Sequence, residues 1–200
     1  MERAPLDLDA ILSSAWDSFE EGARSGDSIH HTPTIATVRG RMATQRTVIL
    51  RHADRATRHL VFHTDWRAPK VEDLQRGSAV AWHFYSPAAR AQLRVESVPT
   101  LHHQDEVARA AWDRITPFGR RAYLAPSAPG ERSDAPSPNL PPHLIDRAPT
   151  AEESAPGYLN FATVFCRVVL IDWLWLASTG HRRARFAFDG REWKGEWAEP

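Results

Sequence analysis

The chain reads as a mainly β, α+β fold, an antiparallel sheet that closes on itself and carries flanking helices. Three stretches predict it. Residues 46–70 hold two apolar runs, 47–50 and 60–62, joined by a polar turn, which is the pattern of a hairpin or meander. Residues 79–85 and 91–98 alternate or run apolar on either side of Ser86-Pro87, so two more strands meet at a tight turn. Residues 158–177 form the longest apolar run, and 182–188 alternate back after Thr179-Gly180. Strands joined by short turns favour closure, because a closed sheet leaves no edge.

The elements follow in order. Leu8, Ile11, Leu12, Ala15, Trp16 and Phe19 recur at helical spacing, so 7–21 is an amphipathic helix capped by Asp7 and ended by Gly22 and Gly26. His30 and His31 follow in a polar loop; neighbours on extended chain point apart, so they read as surface residues rather than a metal pair. A short strand spans 34–38, with its turn at 39–41. After the central hairpin, Pro69 opens a helix to Arg76, as proline suits the first helical turn. Residues 104–115 form a further helix with Val107, Ala110, Ala111 and Trp112 on its apolar face; Pro117 and Gly119 interrupt it, and 120–124 add a turn. Prolines crowd 125–156, which reads as a long loop. Asp189-Gly190 is a hairpin signal before a last strand, 192–197.

Two hundred residues suit one domain, 1–200, comprising an N-terminal helix and loop (1–30), the central strands, the proline-rich loop (125–156) and the C-terminal strands (158–200). Twenty-five basic residues balance 25 acidic ones, so no global field recruits nucleic acid or an acidic membrane. No apolar window reaches the length of a membrane span, and the segment from Met1 to Asp7 lacks the apolar core of a signal peptide; the expected location is cytoplasmic. The single cysteine, Cys166, lies in an apolar run and reads as buried filler, and no metal site is expected. Five of the eight tryptophans fall in the last ninety residues, an aromatic surplus that suits core packing, a stacking site or an interface.

Familiar catalytic signatures are absent: no Walker loop, no GxGxxG after a strand, no HExxH and no GxSxG. An enzyme built from this chain needs a cofactor to carry its chemistry. The cations Arg46, Arg51, Arg67 and Lys70 stand where the apolar runs begin and end, positions where charge either meets solvent or meets an anion.

Arg46-Thr47-Val48-Ile49-Leu50-Arg51, then Phe62-His63-Thr64-Asp65 with Lys70, then Gln92-Leu93-Arg94, resemble the flavin-binding pattern of the pyridoxamine 5′-phosphate oxidase family, in its Alr4036-type branch. The resemblance runs from about Thr34 to the C-terminus and is weakest over the proline-rich loop. It implies a six-stranded antiparallel split β-barrel with flanking helices, binding FMN at the interface of a homodimer. By motif position, Arg46, Thr47, Val48 and Ile49 would lie along the flavin and ribityl chain, with Arg46 and Lys70 at the phosphate. Thr64 would sit beside ring or phosphate, and Gln92 would reach the ring from the partner. Trp175 and Arg185 keep the family's ten-residue separation and would also reach the ring from the neighbouring chain, while Ser127 falls near another flavin contact.

The departures bear on substrate. Ala68-Pro69-Lys70 stands where the vitamin-forming oxidases carry Ser-Arg-Lys, Arg51 replaces a lysine, and His181 and Arg183 reverse the family's Arg-then-His substrate pair. The resemblance therefore implies an FMN-dependent oxidoreductase acting on a small molecule other than pyridoxamine phosphate, with Arg51, Arg114, His181 and Arg183 as substrate-side candidates and no catalytic residue assigned. The alternatives are a flavin-storage protein without turnover, or a split barrel carrying haem or deazaflavin, for which His63, His83 and His181 are the axial candidates.

Overall fold

The structure is a computed structural model and describes residues 6–200; the leaderless reading of the N-terminus falls partly on residues outside that range. It is mainly antiparallel sheet with flanking helices. Nine strands are present rather than six, in the order β2-β1-β5-β6-β7-β4-β3, with β8 on β7 and β9 on β8. That branched order ends at β2, β3 and β9, so the sheet is not closed.

The strand hidden from sequence reading is β2 (Met42–Thr47). It pairs with β1 (Thr34–Arg39) through a turn at Gly40, but after Met42 and Ala43 its residues are polar and most of the strand is exposed, so no apolar alternation marks it. The apolar run 47–50 is consequently no continuous strand. It is the corner into β3 (Leu50–Asp54), where the Val48 N–H donates to Pro33 O and the Leu50 N–H to His31 O. The remaining strands lie close to their expected places: β4 (His59–Asp65), β5 (Val80–Ser86), β6 (Ala91–His102), β7 (Phe161–Trp175), β8 (Arg182–Phe188) and β9 (Trp193–Ala198).

The chain divides into two compact units, each assembled from separated segments: 1–62, 78–100 and 165–200 form the first, and 63–77 with 101–164 form the second. In the first, α1 (Leu8–Arg24) is capped by Asp7, whose carboxylate accepts from the Asp9 and Ala10 N–H groups. Its buried stripe, Ile11, Ala15, Trp16 and Phe19, covers one face of the sheet, with the Phe19 ring 4.8 Å from Phe84 and Trp16 6.3 Å from Trp193. Gly22 does not end this helix. It lies inside it, where a Cβ would come within 2.6 Å of the His30 carbonyl oxygen, so the absent side chain lets the following loop close on the helix.

That closure makes His30 and His31 half-buried rather than surface residues. His31 Nδ1 pairs with Gly22 O at 2.7 Å. Burial holds the His30 ring below its ordinary value of 6.5, outweighing the Glu21 charge. A depressed histidine resists protonation in the folded state, while the unfolded chain takes up its proton near 6.5. Stability is therefore expected to be full above pH 6.5 and to fall as pH drops below it. Urea midpoints on either side of that pH check this, and His30→Gln should flatten the slope.

In the second unit, α2 (Pro69–Gln75) begins at Pro69 as expected, and α3 (Glu106–Asp113) is capped by Asp105. The buried residues of α3 are Ala108 and Trp112, one turn apart; Val107 and Ala110 are exposed, so the apolar face is rotated from the expected one. Trp112, Tyr123 and Phe161 form the core, with ring centroids 5.1–5.7 Å apart. Pro117 starts a short helix, α4 (Pro117–Arg120), instead of merely interrupting one. The proline-rich segment is mostly without regular structure, but it is anchored. Arg121 donates to Leu144 O and Ile145 O, Leu144 is fully buried, and α5 (Ala151–Ser154) opens on a Thr150–Glu153 capping box. The final apolar stretch starts later than expected, because 155–160 form a 3-10 turn.

Candidate functional site

Antiparallel pairing sorts the side chains of the first unit onto two faces. Ile35 lies opposite Trp82, and Trp82 opposite Val95; all three are buried on the face that α1 covers. One residue out of phase, Thr34 lies opposite His83 and His83 opposite Arg94, while Ala36, Ala81 and Glu96 form the next row. The same alternation puts Asp172 of β7 opposite Arg185 of β8. Together these residues line a groove of about 680 Å³.

An ion cluster dominates the groove. Asp172 is only 5% exposed and accepts from Arg183 Nε at 3.1 Å, Arg183 Nη2 at 2.7 Å and Arg94 Nη2 at 2.7 Å. The carboxylate holds the Arg183 guanidinium above its ordinary pKa, chiefly by hydrogen bonding. Arg185 lies in the same groove, and its buried Nε has no hydrogen-bond partner. A buried donor left unpaired is costly, so an acceptor from a ligand is the natural complement. At the rim, His83 Nε2 and Gln92 Oε1 pair at 3.1 Å.

Of the candidates from sequence, the groove brings together Arg183 and Arg185, and Gln92 joins them through its bond to His83. Thr47 pairs with Thr34 and shares the groove's face. Arg46 pairs with Ile35 and so points to the other face, where Nη1 donates to Thr37 Oγ1 at 2.8 Å and Nη2 to Thr44 Oγ1 at 2.9 Å. Val48 is buried, and Ile49 and Arg51 are exposed. Trp175 does not accompany Arg185. It opens into a separate cavity of about 240 Å³ beneath α1, with Ser18, His30, Ser86 and Trp173. The ten-residue spacing puts the two side chains on opposite faces, since Arg185 pairs with Asp172 and Trp175 with Arg182. His181 sits exposed in the β7–β8 turn, its Nδ1 accepting from the Ala177 N–H at 3.2 Å.

Four candidates belong to the second unit. Lys70 Nζ donates to the buried Thr64 Oγ1 at 3.0 Å. Their loop is held by Arg67, whose guanidinium bonds both Asp65 oxygens, at 3.0 and 2.7 Å, and donates to Ala125 O at 3.0 Å. Ser127 is exposed, and its backbone is clasped by the Asn139 amide at 3.0 and 2.9 Å. Arg114 is exposed at the end of α3. Cys166 is fully buried, as expected, and burial pushes its thiol up to about 12. Iodoacetamide near pH 8 is expected to leave it untouched in the native protein and to label it in urea, read by mass spectrometry.

Asp172 and the Arg94 contact to it escaped sequence reading. The available signal was a carboxylate inside the long apolar run of β7, since a buried charge requires a partner. Among the described residues no cluster of three or more potential metal ligands occurs, and no helix is long and apolar enough to cross a membrane.

Comparison with known proteins agrees with this architecture. Residues 13–102 match the family model described as pyridoxamine 5′-phosphate oxidase, FMN-binding domain. No curated protein matches the sequence. Among solved structures, a pyridoxamine 5′-phosphate oxidase-related, FMN-binding protein from Nostoc punctiforme is 24% identical, with a TM-score of 0.70 and all of both chains covered. PhzG from Burkholderia lata, solved with tetrahydrophenazine-1-carboxylic acid, is 16% identical, with a TM-score of 0.65, 98% of this chain and 94% of that one covered. A protein related to general stress protein 26 from Clostridium acetobutylicum is 12% identical, with a TM-score of 0.54, 92% of this chain and 98% of the other covered. Residues 13–102 thus match the FMN-binding domain of the pyridoxamine 5′-phosphate oxidase family, and the chain along its whole length shares the split-barrel fold of the solved structures it resembles.

Proposed function

We propose that the protein is an FMN-dependent oxidoreductase of the Alr4036-type branch, a cytoplasmic homodimer acting on a small molecule other than pyridoxamine phosphate. The observation that carries the reading is the unpartnered, buried Arg185 Nε in an open groove, within a chain whose residues 13–102 match an FMN-binding domain. A flavin ring edge offers acceptors to such a donor, and Gln92 adds an amide close by. Thr47, on the same face, lies along the ribityl chain in this reading, with Val48 and Ile49 following it. For the phosphate we assign Lys70, with Thr64 beside it, and Arg46; a dianion suits ammonium and guanidinium donors. Bound FMN supplies hydride transfer at N5. The chain's residues bind and orient, and none is assigned a proton-transfer role.

An absorbance spectrum taken before and after loading with FMN and gel filtration tests this. A two-banded flavin spectrum on a dimer-sized peak is the expected result, followed by bleaching with a reductant and reoxidation by an acceptor. A colourless protein that ignores FMN overturns the reading, and a Soret band would replace it with the haem alternative. Bound flavin that no donor or acceptor turns over would favour storage.

A further inference from the structure

We infer that the groove recognises the carboxylate of a planar monoacid through Arg94 and Arg183, with Asp172 as the residue that positions both guanidinium groups. The inference deepens the proposed function by naming a substrate class, and it rests on the groove's own charge and geometry.

Five charged side chains line the groove: Arg94, Arg183 and Arg185 against Glu96 and Asp172. Three cations against two carboxylates leave one positive charge, which complements a monoanion and leaves a dianionic phosphate undercompensated. Just outside, Lys194 and Glu196 line the neighbouring cavity with Arg185 and cancel each other. The remaining polar lining is Thr34, Gln45 and His83.

Asp172 does not use up the arginines it holds. Arg94 gives it one nitrogen, Nη2, and Arg183 gives it Nε and Nη2. Among the described residues, Arg94 Nε and Nη1 make no further hydrogen bond, and Arg183 Nη1 has only a long contact to Glu199 O at 3.4 Å. One buried carboxylate on β7 therefore fixes two guanidinium planes, from β6 and β8, and leaves donors of each for a second acceptor. A carboxylate takes such paired donors well, whereas a neutral amide forfeits the charge. The apolar part of the lining includes Ala36, Ala81 and Leu170, small or aliphatic side chains against which a ring can pack.

The test is calorimetric and needs no turnover. The probes are 2-naphthoate and 2-naphthamide, which share a ring system and differ in the carboxylate. Both are titrated into the purified protein, FMN-free and FMN-loaded, with flavin content read separately by absorbance. The expected result is naphthoate binding at least tenfold tighter than naphthamide, falling at least tenfold in Arg183→Gln and in Arg94→Gln, with folding checked by circular dichroism. Asp172→Asn keeps the shape but loses the anchor, so it is expected to lose the discrimination between the two probes. Equal binding of both probes, no binding of naphthoate, or undiminished binding in both arginine variants overturns the inference. Naphthoate discrimination in a protein that takes no FMN supports the carboxylate site while refuting the flavin reading, so the two fail separately.

Discussion

Lys70→Ala and Arg46→Ala are each expected to weaken FMN binding by about tenfold to a hundredfold, the range that follows from removing one charge-assisted hydrogen bond of roughly 1.5–3 kcal/mol. The two side chains are already organised. Thr64 Oγ1 accepts from Lys70 Nζ at 3.0 Å, and the hydroxyls of Thr37 and Thr44 steer the Arg46 guanidinium. Arg46→Lys retains charge but loses the planar fork, and its affinity should fall between wild type and Arg46→Ala. Fluorescence titration of FMN measures all three. Affinity unchanged in both alanine variants would falsify the phosphate assignment.

Trp82→Ala is expected to cost about 3–5 kcal/mol of stability, the usual range for deleting a large buried aromatic. Trp82 is 1% exposed, stacks parallel to Phe84 at 6.2 Å and meets Phe62 edge-on at 5.7 Å. Its Nε1 donates to Ser97 Oγ at 3.0 Å, and that hydroxyl in turn donates to Val80 O, tying β5 to β6. The substitution removes packing and leaves Ser97 without its donor. Because Ala81 and His83, its neighbours in sequence, line the groove, the loss should also degrade ligand binding at that face. Urea denaturation gives the stability change; a loss under about 1 kcal/mol would mean the site collapses around the missing ring.

Sequence reading found what periodicity encodes. Alternation in 80–86, the apolar length of β7 and the helical stripe of α1 each report one face toward a core, and each was found within a few residues. It missed what lacks periodicity. β2 is a polar edge strand held by its hairpin partner alone, and Thr150-Ala151-Glu152-Glu153 announces α5 only by its capping pattern. The site was legible in part for the same reason. Arg183 and Arg185 stand two apart on one strand, so they share a face whatever lies across from them. The counter-ion of Arg183 stands eleven positions before it inside an apolar run, and only the pairing of β7 with β8 brings the two together. Trp175 shows the converse: the family pattern set it with Arg185 at the flavin ring, and strand pairing puts the two side chains on opposite faces.

The interleaving of the two compact units has a consequence for how the protein is made. The first unit needs residues 165–200, so it cannot be completed until they have left the ribosome. Until then β6 waits with a free edge, because its partner β7 begins at Phe161, well after β6 ends at His102. A nascent chain in that state exposes an unpaired strand and an unfinished apolar face, the conditions under which aggregation competes with folding. Expression should accordingly be sensitive to whatever shortens that wait, such as slower initiation, lower temperature or a chaperone at the tunnel exit. C-terminal truncation should abolish soluble yield far out of proportion to the few residues removed.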